Sequence, residues 1–151
     1  MAQSLSRLWT HLIFSTKNRT PLLKELAIRN DMQAYLATVL RSHDCETLIV
    51  GGTGDHVHAL FDLSRKYSIA TIVKEIKRTS SAWVKDVAPS CKRFHWQNGY
   101  GAFSVSQSHL DRVYRYIERQ EEHHRRVTFQ DEFRSFLKKY GIEYDERYVW
   151  D

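Results

Sequence analysis

Cysteine, proline and long apolar runs are scarce in this sequence, and each scarcity excludes a class of protein. The 151 residues include only two cysteines, Cys45 and Cys91, which are not spaced as a CxxC pair. A disulfide framework and a cysteine-based zinc site are therefore both unsupported. No apolar run is long enough to cross a bilayer, and the first residues lack the apolar segment of a signal peptide. We therefore expect an intracellular, cytoplasmic protein.

The two prolines, Pro21 and Pro89, and the lack of any linker or low-complexity tract leave no mark of a domain boundary. The length suits one domain with a proper core, so we predict a single domain over residues 1–151. Charge is unevenly spread. The formal net charge is +5, yet residues 64–100 alone hold eight basic and two acidic residues, a net of +6. This asymmetry favours a polyanionic partner such as nucleic acid.

Apolar periodicity predicts alternating strands and helices along the chain. The order is β-α-β-β-α-β(β)-α-α, which predicts an α+β fold with a ferredoxin-like antiparallel sheet and helices packed on it. Asn98-Gly99 is a strong hairpin signal between two short strands, at 94–96 and 101–105. The other predicted strands are 8–15, 46–50 and 56–63, and the predicted helices are 22–43, 69–85, 108–126 and 129–139, the last ended by Gly141.

The His56-Val57-His58 pattern lies in a predicted strand. Residues two apart on a strand share a face, with Cα atoms about 6.5–7 Å apart, so both imidazoles can converge on one metal ion. The plainer interpretation is a pair of exposed histidines. A hydrolase of the His-x-His-x-Asp kind is disfavoured because Leu60 stands where the aspartate is needed. A zinc site with a third histidine stays open, since the chain also has His11, His43, His95, His109, His123 and His124.

Tyr116 and Gln120 are four residues apart in the predicted helix 108–126, so one lies above the other. Tyr116 is at the margin of the apolar stripe, where its hydroxyl can face a cleft, whereas Tyr114 lies on the stripe and is predicted to be core. A phenol with a pKa near ~10 needs assistance to act as a nucleophile at neutral pH. A metal ion could polarise a scissile phosphate, and the Gln120 amide oxygen suits Mg²⁺ or Mn²⁺. The alternative for Tyr116 is a packing residue.

Aromatic and basic residues interleave in the middle of the chain, a pattern typical of surfaces that bind single-stranded nucleic acid. At least half of the aromatic residues in this region are expected to be core. We predict DNA contacts from Lys74, Lys77, Arg78, Lys85, Arg93 and Trp96.

Five segments together carry a resemblance that covers nearly the whole chain. They are HLIFSTKNRTPLL (11–23), GGTGDHVHALFDL (51–63), WQNGYGAFSVS (96–106), YIERQEEHHRR (116–126) and KKYGIEYDERYVW (138–150). With these segments the chain resembles the single-tyrosine HUH transposases of bacterial insertion sequences, including the repeat-associated tyrosine transposases.

The resemblance implies a ferredoxin-like domain that dimerises by joining two sheets. It implies that His56, His58 and Gln120 bind Mg²⁺ or Mn²⁺, and that Tyr116 attacks single-stranded DNA at hairpin-bearing transposon ends. The products would be a 5′-phosphotyrosine and a free 3′-hydroxyl, and a 3′-hydroxyl from another strand would complete the transfer without ATP. In such enzymes the tyrosine helix of one subunit commonly completes the metal site of the other.

Other functions remain open at this point. Gly51-Gly52-Thr53-Gly54 matches the GxxG of a KH domain, but strands are predicted on both sides where a KH loop joins helices. A replication or conjugation nickase would share the chemistry but usually carries further domains. A zinc hydrolase would use His56, His58 and a distant histidine, and a domesticated relative would bind DNA without cutting it.

Overall fold

Four strands form one antiparallel sheet in the computed structural model, which describes residues 2–151. Their order across the sheet is second, third, first and fourth, so the third and first strands of the chain occupy the centre. This α+β arrangement confirms the predicted ferredoxin-like fold class. The strands are β1 (Trp9–Ser15), β2 (Thr47–Gly52), β3 (His56–Asp62) and β4 (Gly101–Ser104).

The five helices are α1 (Leu26–Ser42), α2 (Ile69–Val87), α3 (Leu110–Glu118), α4 (Gln120–His123) and α5 (Phe129–Lys139). Helix α2 begins after Ser68 and α5 after Thr128, and each of these side chains accepts a hydrogen bond from a backbone amide of the first turn. Helix α5 ends just before Gly141, whose φ of 66° only glycine adopts without strain. None of the helices among residues 2–151 has the length and apolarity needed to cross a membrane.

The main core lies on one face of the sheet, beneath α1 and α2. Alternation along β3 sends Val57, Ala59 and Phe61 into this core, and β1 contributes Leu12 and Phe14 in the same way. The helices supply a matching set of fully buried side chains: Met32, Leu36, Leu40, Ile72, Val73, Ile76 and Val84.

The opposite face of the sheet is covered by α3, α4 and α5. A second, smaller core there joins Ile13 and Phe103 of the sheet to α5. Val149 and Trp150 of the C-terminal tail pack against it, which places a segment that the sequence left unassigned. Because residues alternate along β3, His56 and His58 point to this second face. The α5 side chains in this core are Phe129, Phe133 and Leu137.

The predicted hairpin at Asn98-Gly99 is wrong. Trp96 pairs with Thr16, and β4 pairs with the preceding part of β1, so both flanking segments are antiparallel to the same neighbour. The turn therefore interrupts one edge strand of the sheet and does not join two strands that pair with each other. Gln97 anchors it, because its backbone amide donates to the Ser15 carbonyl at 2.9 Å and its side-chain oxygen accepts from the Ser15 amide at 2.8 Å.

The predicted continuous helix over 108–126 is also interrupted. A short 3₁₀ turn, Gln107–His109, precedes α3, and Arg119 separates α3 from α4 with φ −100° and ψ 21°. Helix α4 ends at His123, and the chain then turns towards α5. The His124 Nδ1–H donates to the Val127 carbonyl at 2.6 Å across that turn.

Candidate functional site

His56 and His58 are fully buried on the second face of the sheet, in the central strand β3. Their rings are 5.2 Å apart between centroids, so the pair shares one enclosed environment. The prediction that both imidazoles share a face is confirmed. The exposed pair that the sequence also allowed is not found.

Helices α3 and α4 bring Tyr116 and Gln120 over these histidines. Gln120 is buried and its Oε1 lies 3.1 Å from His56 Nε2, while the Tyr116 ring centroid is 5.8 Å from that of His58. All four residues that the sequence grouped therefore meet at one place. In this structure of a single chain they do so within that chain.

Glu132 stands at the centre of this group and was missed by the sequence analysis. It lies in the first turn of α5 and is 3% exposed. The sequence did contain a signal for it, because Glu132 shares a helix face with the apolar residues Phe129, Phe133 and Phe136. A charged residue on such a face is expected to be buried with a partner. Its carboxylate accepts a hydrogen bond from the Tyr116 hydroxyl, and it also approaches His58 Nε2 at 2.9 Å, Gln120 Nε2 at 3.2 Å, His124 Nε2 at 3.1 Å and His123 Nε2 at 3.3 Å.

His124 is the second residue that the sequence did not assign to this site, although it was among the histidines open to a zinc centre. Its Nδ1 faces the Val127 carbonyl, which can only accept, so Nδ1 must carry a hydrogen. Its buried Nε2 is within ion-pair distance of the Glu132 carboxylate, at 3.1 Å, but within residues 2–151 it has no partner with the geometry of a hydrogen bond. Burial opposes the charged ring, but the nearby Glu132 carboxylate outweighs it and raises the pKa of His124.

The orientation of His56 is set by its neighbours. Its Nδ1 lies 2.6 Å from the Asp55 carboxylate, to which it donates, and this leaves Nε2 as a lone pair facing Gln120 Oε1. The Gln120 amide is turned that way because its Nε2 donates to Glu132. In this tautomer His56 Nε2 and Gln120 Oε1 lie 3.1 Å apart, close enough to be ligands of the same cation. A carboxylate behind a histidine is also the usual support for a metal-ligating imidazole.

His11 forms a second layer behind His58. Its Nε2 is 2.7 Å from His58 Nδ1, and burial, followed by repulsion from His58, lowers its pKa well below the usual value. Burial likewise lowers the pKa of His58 to about 4, so both rings are neutral at pH 7. His58 Nε2 donates to the Glu132 carboxylate at 2.9 Å, so its Nδ1 accepts from His11 Nε2–H. A metal ion at His58 Nε2 would require the other tautomer, in which Nδ1–H donates to the neutral His11.

The donor set fits a divalent cation. One atom each from His56, His58, His124 and Glu132 lie within 4.8 Å of one another, and the Gln120 oxygen faces the same space. Imidazole nitrogens with carboxylate and amide oxygens are borderline-to-hard ligands, which suit Mn²⁺, Mg²⁺ or Zn²⁺. The buried Nε2 of His124 and the facing His56 Nε2 and Gln120 Oε1 atoms are all placed where such an ion could take them as ligands. These residues could hold the metal that the sequence predicts, with His124 and Glu132 as additional candidates.

Tyr116 is held as a neutral phenol. Burial and the Glu132 carboxylate both raise its pKa above the usual value. Burial opposes ionisation of Glu132, but its close contacts with His124, His58 and Tyr116 reverse this effect and lower the pKa of Glu132. The site therefore contains an anionic carboxylate and a protonated phenol at neutral pH.

Tyr114 does not lie in the core, contrary to the prediction. It is 36% exposed, whereas Tyr116, only two residues further along α3, faces the site. Two residues correspond to about 200° of rotation on a helix, so the two tyrosines point to different sides. Ile117 is the only residue of α3 that is fully buried.

The six predicted DNA-contact residues, four on α2 and two after it, are only partly available. Trp96 is buried and its Nε1–H donates to Ser80, so it offers no ring for base stacking. Lys77 donates to the carbonyls of Gln97, Asn98 and Gly99 at 2.8, 3.4 and 2.6 Å, so its ammonium is committed to the fold. The predicted DNA contacts of Trp96 and Lys77 are therefore wrong. Arg78 is exposed but paired with Glu75, and the remaining residues with free charges are Lys74, Lys85 and Arg93.

Fold and site together define a class: an antiparallel α+β domain in which a helix tyrosine faces a buried histidine cluster on the central strand. The sequence model of the IS200-like transposases matches residues 4–120, and the chain belongs to that family. The match ends at Gln120, before Glu132 and the rest of α5. None of the curated proteins compared with the chain matches it significantly.

Two solved structures have a similar fold. The chain is 22% identical, with a TM-score of 0.62, to a candidate transposase from Deinococcus radiodurans R1, and the match covers 80% of this chain and 95% of that one. It is 16% identical, with a TM-score of 0.58, to a REP-associated tyrosine transposase bound to a REP hairpin, over 84% of this chain and 76% of that one.

Proposed function

We propose that this protein is a metal-dependent transposase that cuts and rejoins single-stranded DNA at hairpin-bearing ends through Tyr116. The observation that carries the proposal is the position of the Tyr116 hydroxyl, which contacts a buried cluster of imidazoles and one carboxylate. Membership of the transposase family supports the class of reaction, and the fold of the hairpin-bound relative supports the class of substrate. Such a reaction would take place on DNA in the bacterial cytoplasm.

His56, His58 and Gln120 would hold the metal, with Glu132 and His124 completing its surroundings. A bound divalent cation would withdraw charge from the scissile phosphate. Asp55 and His11 would not contact the metal themselves. Asp55 hydrogen-bonds Nδ1 of His56 and His11 hydrogen-bonds Nδ1 of His58, so each influences the tautomer of the histidine it contacts.

Tyr116 supplies the attacking oxygen. Its hydrogen points to Glu132 and His123 Nε2 lies 3.3 Å from the same oxygen, which leaves one lone pair for the open side of the site. As the bond from the phenol oxygen to phosphorus forms, the bond from phosphorus to the 3′ oxygen breaks. The phenol proton balances the charge on the departing 3′ oxygen, so the products are a 5′-phosphotyrosine and a 3′-hydroxyl. The lowered pKa of Glu132 makes it a weak base, so we assign it orientation of the phenol.

A sheet-joined homodimer remains a prediction from the resemblance. Because Tyr116 and both histidines meet within one chain, a dimer would be needed for pairing two DNA ends and not for assembling one site. Cross-linking on hairpin DNA would detect it.

The proposal is tested by adduct formation. Purified protein is incubated with labelled single-stranded hairpin ends and Mn²⁺ or Mg²⁺, and an SDS-resistant protein–DNA adduct is sought. We expect the adduct in the parent protein and in Tyr114→Phe, and its loss in Tyr116→Phe and with EDTA. Tyr114→Phe is a matched control, since it removes an identical hydroxyl from the exposed side of the same helix.

Two outcomes would overturn parts of the proposal. An adduct that survives Tyr116→Phe would move the nucleophile elsewhere. Tight binding of the hairpin ends without any adduct would favour a DNA-binding relative that has lost catalysis.

A further inference from the structure

An open groove runs along α3 and α4 beside Tyr116 and is rich in arginine. Tyr116 and His123 line its inner side, so the groove leads directly to the proposed nucleophile. Asp111 and Glu122 also line it, but the arginines outnumber these acids two to one. The four arginines are Arg112, Arg115, Arg119 and Arg126, and all are exposed.

The charges of these arginines are free. Within residues 2–151 none of the four forms an ion pair, whereas Arg29, Arg78 and Arg134 are each paired with a carboxylate. An exposed guanidinium with no carboxylate partner is well suited to bind phosphate, since its planar donors match two phosphate oxygens at once. The predicted DNA face on α2 offers fewer such groups, because three of its six members are buried, committed to the fold or paired.

The arginines are spaced so that they follow the axis of α3 along the groove. Arg112, Arg115 and Arg119 follow at three- and four-residue intervals, so they form one row on the helix beside Tyr116. The row continues across the break after Glu118 to Arg126. From residue 112 to 119 the row covers about 10 Å at ~1.5 Å per helical residue, enough for at least two consecutive phosphates of one strand.

We propose that the single strand bearing the scissile phosphate lies in this groove, with its backbone on the arginine row on either side of Tyr116. This inference rests on the function proposed above and assigns the substrate path to α3 and α4, whereas the sequence predicted DNA contacts between residues 74 and 96. Phosphate contacts of this kind give affinity and register without reading base sequence. The groove therefore positions the strand, and any choice of sequence must come from other contacts.

Binding is measured separately from cleavage, with a labelled unstructured oligonucleotide titrated over a range of salt. All proteins carry Tyr116→Phe, so that no adduct forms. The test variant is Arg112→Gln with Arg119→Gln, and the matched control is Lys74→Gln with Lys85→Gln, which removes the same charge from α2. Arg112→Lys with Arg119→Lys keeps the charge and reports on guanidinium geometry. Thermal unfolding verifies that each variant is folded.

We expect the groove variant to bind at least tenfold more weakly than its parent. Its plot of log affinity against log salt should be shallower by about 1.4, because each lost contact to a single strand removes roughly 0.7 from the slope. The control should keep both its affinity and its slope. Normal binding by the groove variant, or an equal loss in the control, would overturn the inference.

Failure of the proposed function has a different signature. Protein with Tyr116 intact would then form no adduct on hairpin ends, whatever the groove variants do to binding.

Discussion

Replacing Gly51 by alanine should displace the helix that carries Tyr116. Gly51 lies in β2 directly under α3, and a Cβ added there would be 2.8 Å from the carbonyl oxygen of Ile117 and 2.9 Å from its Cγ2. Carbon atoms in contact prefer about 3.5–4.0 Å, so the added methyl requires α3 to move by at least ~0.5 Å. Ile117 is the penultimate residue of α3, so at least the C-terminal turn of the helix must shift, and Tyr116 adjoins Ile117 in that turn.

The expected magnitudes follow from this overlap. Overpacking of a well-packed contact costs about 1–3 kcal/mol, which for a chain of this size lowers Tm by roughly 2–4 °C per kcal/mol. Misplacing a reacting group by ~1 Å can slow a reaction about 100-fold, so a shift of half that size should slow adduct formation by about tenfold. Single-turnover adduct formation with hairpin DNA measures the rate, and calorimetry measures Tm.

Gly141→Ala is the matched control. Gly141 has φ 66° and nothing within 4 Å of an added Cβ, so alanine there is strained by about 1–2 kcal/mol without touching α3. This variant should lose a similar amount of Tm and keep its rate of adduct formation. If Gly51→Ala kept the parent rate and Tm, α3 would not rest on β2 as described, and the placement of Tyr116 over His58 would be refuted.

Three further predictions follow from the site and its surroundings. Glu132→Gln should weaken Mn²⁺ binding by about 10–100-fold in calorimetry while the protein stays folded, and unchanged affinity would remove Glu132 from the metal site. If His124 binds the metal, its raised pKa means that a proton must leave, so Mn²⁺ affinity should rise with pH across neutrality. His124→Asn should flatten that profile, and a flat profile in the parent would exclude His124 as a ligand. Lys77→Met should lower the free energy of unfolding by about 1.5–3 kcal/mol through three lost hydrogen bonds, whereas exposed Lys74→Met should not; equal Tm values would contradict this role for Lys77.

Much of the fold could be predicted because the relevant signals are local. The alternation in β3 predicts which side chains reach the core, and it places His56 and His58 together on the other face. The four-residue spacing of Tyr116 and Gln120 likewise holds in the structure despite the break at Arg119. The hairpin at Asn98-Gly99 failed because a turn signal does not say which strand its flanks pair with, and here both pair with β1 and its extension at Thr16.

Trp96 and Lys77 show a second limit of sequence patterns. Interleaved aromatic and basic residues have the same appearance whether they face solvent or support the fold. The structure turns Trp96 into the core and uses Lys77 to hold the carbonyls of the turn that interrupts an edge strand. The basic row beside Tyr116 was overlooked because acidic neighbours dilute its arginines along the chain. Only the fold shows that Glu118 and Glu121 line a different pocket.

The sequence by itself determined the strand and helix order, the family, and the pairing of a His-x-His strand with a tyrosine helix, because each is encoded in short periodic patterns. Only the tertiary structure decided that Glu132 enters the site. Seventy-four residues separate it from His58, and packing of α5 across the sheet brings the two within 2.9 Å. Such a contact depends on how helices lie against a sheet, which no local pattern specifies, and it places a buried carboxylate between the nucleophile and the histidines.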